Sequence, residues 1–190
     1  MPRTVPRPTR EQIDDDIVEA AAALFARHGF DQTSVQRIAD AVGYSKTGLL
    51  HRFPTKESLQ VAAVGRCVDL VAGIAADVAP LPPGPARDRA VVTAVADLAL
   101  QRPGYVALML GALGAEEGTP VSAGLQDIAE GLFRAFDAPS EGASERTLRV
   151  VGALGALAVS SLACHEAPAA EVRPVIIATA YAALGHERTT

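Results

Sequence analysis

Three adjacent residues, Cys164, His165 and Glu166, put a thiol, an imidazole and a carboxylate side by side. Neighbouring positions on a helix point in different directions, so these three cannot form a relay of nucleophile, base and orienting group. The sequence also lacks a phosphate-binding glycine loop, an HExxH pair and a nucleophile elbow. No enzymatic activity and no cofactor is expected. Cys67 and Cys164 stand far apart and outside any CxxC, which fits reduced structural thiols and no metal site. A different chemistry is offered by Ser45, Lys46, Thr47 and His51, which form the polar face of one short helical segment. Hydroxyl, ammonium and imidazole groups at a helix start suit base edges and phosphates. A major groove about 12 Å wide admits such a helix end-on.

The elements around these residues have the right form to position them. Ile13, Ile17, Ala20, Ala21, Leu24 and Phe25 recur at three- and four-residue spacing, predicting a helix from Glu11 to His28 that Gly29 stops. Thr33 or Ser34 caps a second short helix with an inner face of Val35, Ile38, Ala39 and Val42, ending before Gly43. Ser45 caps a third, Lys46 to Arg52, anchored by Leu49 and Phe53 and ended by Pro54. Two short helices joined by a turn containing a glycine make a helix-turn-helix. Thr55 caps a long fourth helix running to about Val78.

A Pro-rich loop fills 79–85, and further helices are expected over 86–101, 104–115, 120–136, 144–165 and 169–184, with Pro103, Pro120, Pro139 and Pro168 at the breaks. The fold class is therefore all-α, with about nine helices. Its domains are a Pro/Arg-rich arm over 1–10, a helix-turn-helix domain over 11–54, and a helical domain over 55–190.

The net charge of −5 at first argues against nucleic acid, but its distribution matters more. Residues 1–60 carry eight basic and eight acidic side chains, so the whole deficit lies behind them. Only 4% of residues are aromatic, so Ala, Val and Leu must build the core. The longest apolar run, Val150 to Cys164, is shorter than the ~20 residues of a membrane span. Met1 to Arg10 has no apolar stretch of the signal-peptide kind, so a cytoplasmic location without membrane contact is expected.

The run Ile17-Val-Glu-Ala-Ala-Ala-Ala-Leu-Phe-Ala-Arg-His-Gly-Phe resembles the TetR-family signature, as do Thr33-Ser-Val-Gln-Arg-Ile-Ala and Ser45-Lys-Thr-Gly-Leu-Leu-His-Arg-Phe-Pro-Thr-Lys-Glu-Ser-Leu. The resemblance covers about residues 11–60. It implies phosphate contacts at Thr33 and Ser34, with Arg37 one turn on, and a recognition helix opening at Ser45, Lys46, Thr47 and Gly48. Lys46 would then meet guanine or phosphate, Thr47 a base edge or thymine methyl, and Lys56 a phosphate. His51 is read as a DNA contact or a solvated residue, and Arg3, Arg7 and Arg10 as an arm that follows the backbone or stays free. Leu50 replaces the tyrosine usual in the family, Tyr44 replaces a small aliphatic residue, and Thr47-Gly48 reverses the commoner order. Tyr44 and Leu50 remain candidate DNA contacts.

The resemblance further implies a double-stranded operator, a small-molecule effector and a homodimer. Binding of effector would tilt the fourth helix and change the separation of the two recognition helices. Polar or polarisable residues within apolar helices are the effector-site candidates: Arg66, Cys67, Gln101, Tyr105, Met109, Phe133 and His165. Scarce aromatics suggest an apolar or amphipathic effector. The last two helices should form the dimer interface, through Val150, Val151, Leu154, Ala158 and Leu162 with Gly152, Gly155 and Ala156, and through Val175, Ile176, Thr179, Ala180, Ala183 and Leu184. The expected function is a transcription regulator, a repressor by the habit of the family. The alternative is a helical dimer acting through protein partners without specific DNA binding.

Overall fold

Hydroxyl side chains set most of the helix starts in the computed structural model, which describes residues 9–111 and 120–186. Thr9 and Gln12 form a reciprocal capping box that opens α1 (Arg10–His28), one residue earlier than the sequence suggests. Ser34, Ser45 and Thr55 cap α2 (Val35–Ala41), α3 (Lys46–Arg52) and α4 (Lys56–Val78). Pro85 takes the first helical position of α5 (Pro85–Gln101). Then follow α6 (Pro103–Gly111), α7 (Pro120–Ala135), α8 (Glu145–Ala163) and α9 (Ala169–Ala183). Among the described residues there are nine helices and no strand. The expected continuation of the sixth helix to 115, and the arm residues Arg3 and Arg7, lie outside the described residues.

Two apolar clusters hold these helices together. The front cluster joins Ile17, Ala21 and Phe25 of α1 to Ile38, Leu49 and Leu59, and also takes in Cys67, Tyr105, Leu108 and Ile128. The rear cluster gathers Val78, Val91, Val92, Val106, Phe136, Val150, Leu157, Ile176 and Ala180. Helices α4, α6 and α7 contribute to both, so the core beneath the helix-turn-helix does not close at residue 54. Glycines bring α7 hard against α4: a Cβ on Gly124 or Gly131 would stand 2.3 Å from Val64 Cγ1 or 2.7 Å from Val71 Cγ1.

A polar knot fastens the rear. The Asp88 carboxylate, 1% exposed, accepts both arms of the Arg146 guanidinium at 2.6 and 2.8 Å and meets His186 Nε2 at 2.7 Å. Arg87 donates to the carbonyls of Arg134 and Ala135, and Arg146 to that of Phe136, satisfying the open end of α7.

The pairing of α8 with α9, and of both with α5, corrects part of the expected interface. Val150, Ile176, Ala180 and Leu184 point into the rear cluster and are buried within one chain. The apolar residues left on the outside are Leu148, Val151 and Val159 of α8 and Val175 of α9. Both faces of α8 are apolar, so the sequence pattern alone could not say which one the chain itself covers. By length and composition α8 would also suffice to cross a membrane.

Candidate nucleic-acid interface

The turn between α2 and α3 is a Schellman closure. Tyr44 N–H donates to Ala39 O at 2.9 Å and Gly43 N–H to Asp40 O at 3.3 Å, with Gly43 at φ 72°. That left-handed residue swings α3 across α2 above Ile38, Ala39 and Leu49, all fully buried. The Ser34 hydroxyl accepts from Arg37 N–H at 3.1 Å, and that of Ser45 from Gly48 N–H at 3.0 Å. An added Cβ on Gly48 would come 3.1 Å from Ser45 Oγ, so glycine at this place keeps the cap tight.

Ser34, Arg37, Ser45, Lys46, Thr47 and His51 are exposed on this two-helix unit. The side chains of Arg37, Lys46, Thr47 and His51 make no hydrogen bond or ion pair among the described residues. Tyr44, Gly48 and Leu50 are half-buried at its edge. Thr33, expected at phosphate, is instead buried: its hydroxyl donates to Gly29 O at 2.8 Å and Leu24 O at 3.2 Å. It fixes the turn out of α1 and presents no hydroxyl to solvent. Lys56 also has internal partners. Its Nζ donates to Phe30 O at 2.8 Å and lies 4.2 Å over the Phe30 ring, tying the start of α4 to the α1–α2 turn.

Sequence reasoning missed a band of charge behind this unit. Asp14, Asp15, Asp16 and Glu19 of α1 receive Arg52, Arg66 and Arg102 from three different elements. Arg66 was a candidate for the effector, yet it pairs with Asp15 at 2.6 Å beside a cleft of about 380 Å³ between α1 and α4.

The other effector candidates do not converge. Cys67 and Tyr105 share the front cluster; burial first, then the charge of Glu19, pushes the Cys67 thiol up to about 12, so it stays protonated at neutral pH. Burial likewise raises the Tyr105 phenol. Phe133 lines an open cleft of about 540 Å³ with Glu130, Arg134 and Asp137. Gln101 and His165 are exposed, His165 Nδ1 meeting Leu162 O at 2.9 Å and Nε2 standing 3.8 Å from Glu166. The side chain of Met109 lies outside the described residues.

Two capped helices set at a glycine turn, with an exposed polar face on the second, form a helix-turn-helix. Residues 17–63 match the model of the bacterial regulatory proteins, tetR family. The HTH-type transcriptional regulator RutR of Escherichia coli (strain K12) is 41% identical over 54 residues, which are 28% of this chain and 26% of that relative. The match to this curated relative thus spans about a quarter of its length. Over most of the chain the fold is similar to PfmR, a TetR family regulator from Thermus thermophilus, at a TM-score of 0.63 and 20% identity, covering 90% of this chain and 99% of that one. AibR, solved in complex with isovaleryl coenzyme A and operator DNA, is similar at a TM-score of 0.61 and 21% identity, covering 87% of this chain and 96% of its own. Residues 17–63 of this chain thus carry the sequence pattern of the tetR family of bacterial regulatory proteins, and the fold of the described residues is similar to that of solved TetR family regulators.

Proposed function

We propose that the protein is a homodimeric cytoplasmic repressor that binds a near-palindromic operator through α3 and leaves it when a small apolar or amphipathic effector binds behind. The observation that carries this reading is the exposed, unpaired row of Lys46, Thr47 and His51, held on a fully buried Leu49 at the start of a capped helix. A rigid seat with free donors is the form that direct readout of base edges requires. Ser34 and Arg37 at the start of α2 flank that row and suit phosphates.

Residues 11–54 then read DNA, and 55–190 carry the effector and the dimer contact. AibR was solved in complex with isovaleryl coenzyme A and operator DNA, and the apolar residues that α4, α6 and α7 contribute would suit the acyl part of a ligand of that amphipathic kind. The outward apolar residues of α8 and α9 suit a second copy of the chain.

Selection of bound duplexes from a random pool tests the reading. Purified protein should enrich one near-palindrome, and Lys46→Ala should weaken binding to it by roughly 1–3 kcal/mol. A wild-type chain that enriches no sequence, with and without cell metabolites, would sink it.

A further inference from the structure

The carboxylates of α1 join it to three other parts of the chain. Arg52, the last residue of α3, pairs with Asp14, and Arg66 of α4 pairs with Asp15. Arg102, at the corner between α5 and α6, reaches Glu19 at 2.9 Å and Asp16 at 3.4 Å. Two residues on, Gly104 lets α6 approach α1 closely: an added Cβ would stand 2.6 Å from Glu19 O and 3.0 Å from Ala23 N. One end of α1 therefore holds the recognition helix, and its middle is pressed against the rear helices.

The seam carries an unmet polar demand. Tyr105 is 1% exposed, and its hydroxyl has no hydrogen-bond partner among the described residues. A buried donor without an acceptor raises the free energy of the closed seam, whereas opening would let water or a ligand satisfy it. Burial also pushes the Glu19 carboxyl up, outweighing the hydrogen bond and charge of Arg102. Exposed ion pairs are worth little, but Glu19 is only 16% exposed, and the same Arg102 Nη1 also reaches the carboxylate of Asp16.

We propose that Arg102 is a positioning residue for DNA recognition: its pairing with Glu19 and Asp16 latches the α5–α6 corner to α1, and the state of that latch sets the seat of α3. Arg102 touches no DNA in this scheme. It acts through α1 and the Asp14–Arg52 pair, alongside any movement of α4. The orphan hydroxyl of Tyr105 works against the latch and leaves it ready to open when the rear helices change. The inference rests on the DNA-binding reading above.

Hydrogen exchange on the full chain, paired with affinity for the selected duplex, tests it through two variants of opposite sign. Arg102→Gln should speed exchange in 10–28 and 103–111 while leaving α8 and α9 unchanged, and weaken operator binding about five- to tenfold, the low end of coupling between sites. Tyr105→Phe removes the unmet donor and should slow exchange in the same segments and tighten binding. Arg102→Lys, which keeps the positive charge facing Glu19 and Asp16, should retain most of the wild-type exchange pattern and affinity. Unchanged exchange in α1 for Arg102→Gln, a uniform rise over the whole chain, or faster exchange for Tyr105→Phe would each overturn the latch. A wild-type chain that selects no duplex removes the DNA reading, and the positioning role with it, even where the exchange result shows the latch.

Discussion

At Thr33 the hydroxyl donates to two carbonyls of the α1 exit, whereas at Lys46 the ammonium has no partner among the described residues. The two positions therefore answer to different measurements. Thr33→Val keeps the shape and removes both hydrogen bonds, leaving Leu24 O and Gly29 O with fewer donors in a buried place. A loss of about 1–2 kcal/mol in urea unfolding is expected, with the salt dependence of DNA binding unaltered. Lys46→Ala should do the reverse. Unfolding should be unchanged, and where Lys46 meets phosphate the slope of log affinity against log salt should fall by about 0.9. If Thr33→Val alters the salt slope while stability holds, the buried hydrogen bonds do not define that residue's role.

Local chemistry made the helix boundaries legible: Ser34, Ser45, Thr55 and Gly43 act within three residues of themselves, so a linear reading finds them. Ion pairs are not encoded that way. Arg52 meets Asp14 across 38 positions, Arg66 meets Asp15 across 51 and Arg102 meets Glu19 across 83, so nothing local marks the partners. The same holds for Asp88, which reads as an ordinary acidic residue in the first turn of α5 and proves to be the centre of the rear knot. Burial raises its carboxyl, but hydrogen bonds from Arg146 and His186, then their charges, outweigh burial and hold it below the usual carboxylate range. Arg173 lowers Asp97 in the same direction. With a depressed folded pKa, the unfolded chain binds more protons in the acid window, so this stability is present above an ordinary carboxylate pKa of about 4 and is lost as pH falls through the folded value. Thermal unfolding should therefore show little contribution from Asp88 to pH dependence between pH 8 and 5, and a decline below about pH 4. Asp88→Asn should cost about 3 kcal/mol at neutral pH, because Arg146 loses its anion in a half-buried place, and should blunt the acid decline. An acid limb of equal steepness in Asp88→Asn would assign it to other carboxylates.

One chain leaves Leu148 at 60%, Val151 at 52% and Val159 at 60% exposed along α8, with Val175 of α9 at 63%, while the opposite face of each helix is spent in the rear cluster. A row of aliphatic side chains on two adjoining helices marks an interaction surface far better than a single exposed leucine does. Space beside it is open, since an added Cβ on Gly152 or Gly155 would meet nothing within 4 Å. Two copies related by a two-fold axis would close that surface as a four-helix bundle and place two α3 helices on one duplex. Half-sites one helical turn apart, about 34–36 Å, need that fixed pairing. Val151→Glu would put a carboxylate into such a seam and touches nothing in the rear cluster. Sedimentation should then show a monomer with unchanged helicity, and operator affinity should fall about 10²- to 10⁴-fold, as expected when a second contact is no longer tethered to the first. The split between outcomes is informative because it separates assembly from reading. A dimeric Val151→Glu would move the interface away from α8, and a monomer that keeps wild-type affinity would mean that one helix-turn-helix suffices for the site. The hydropathy of α8 invites a third outcome, partition of wild-type protein into detergent micelles, which a closed bundle of two chains would prevent.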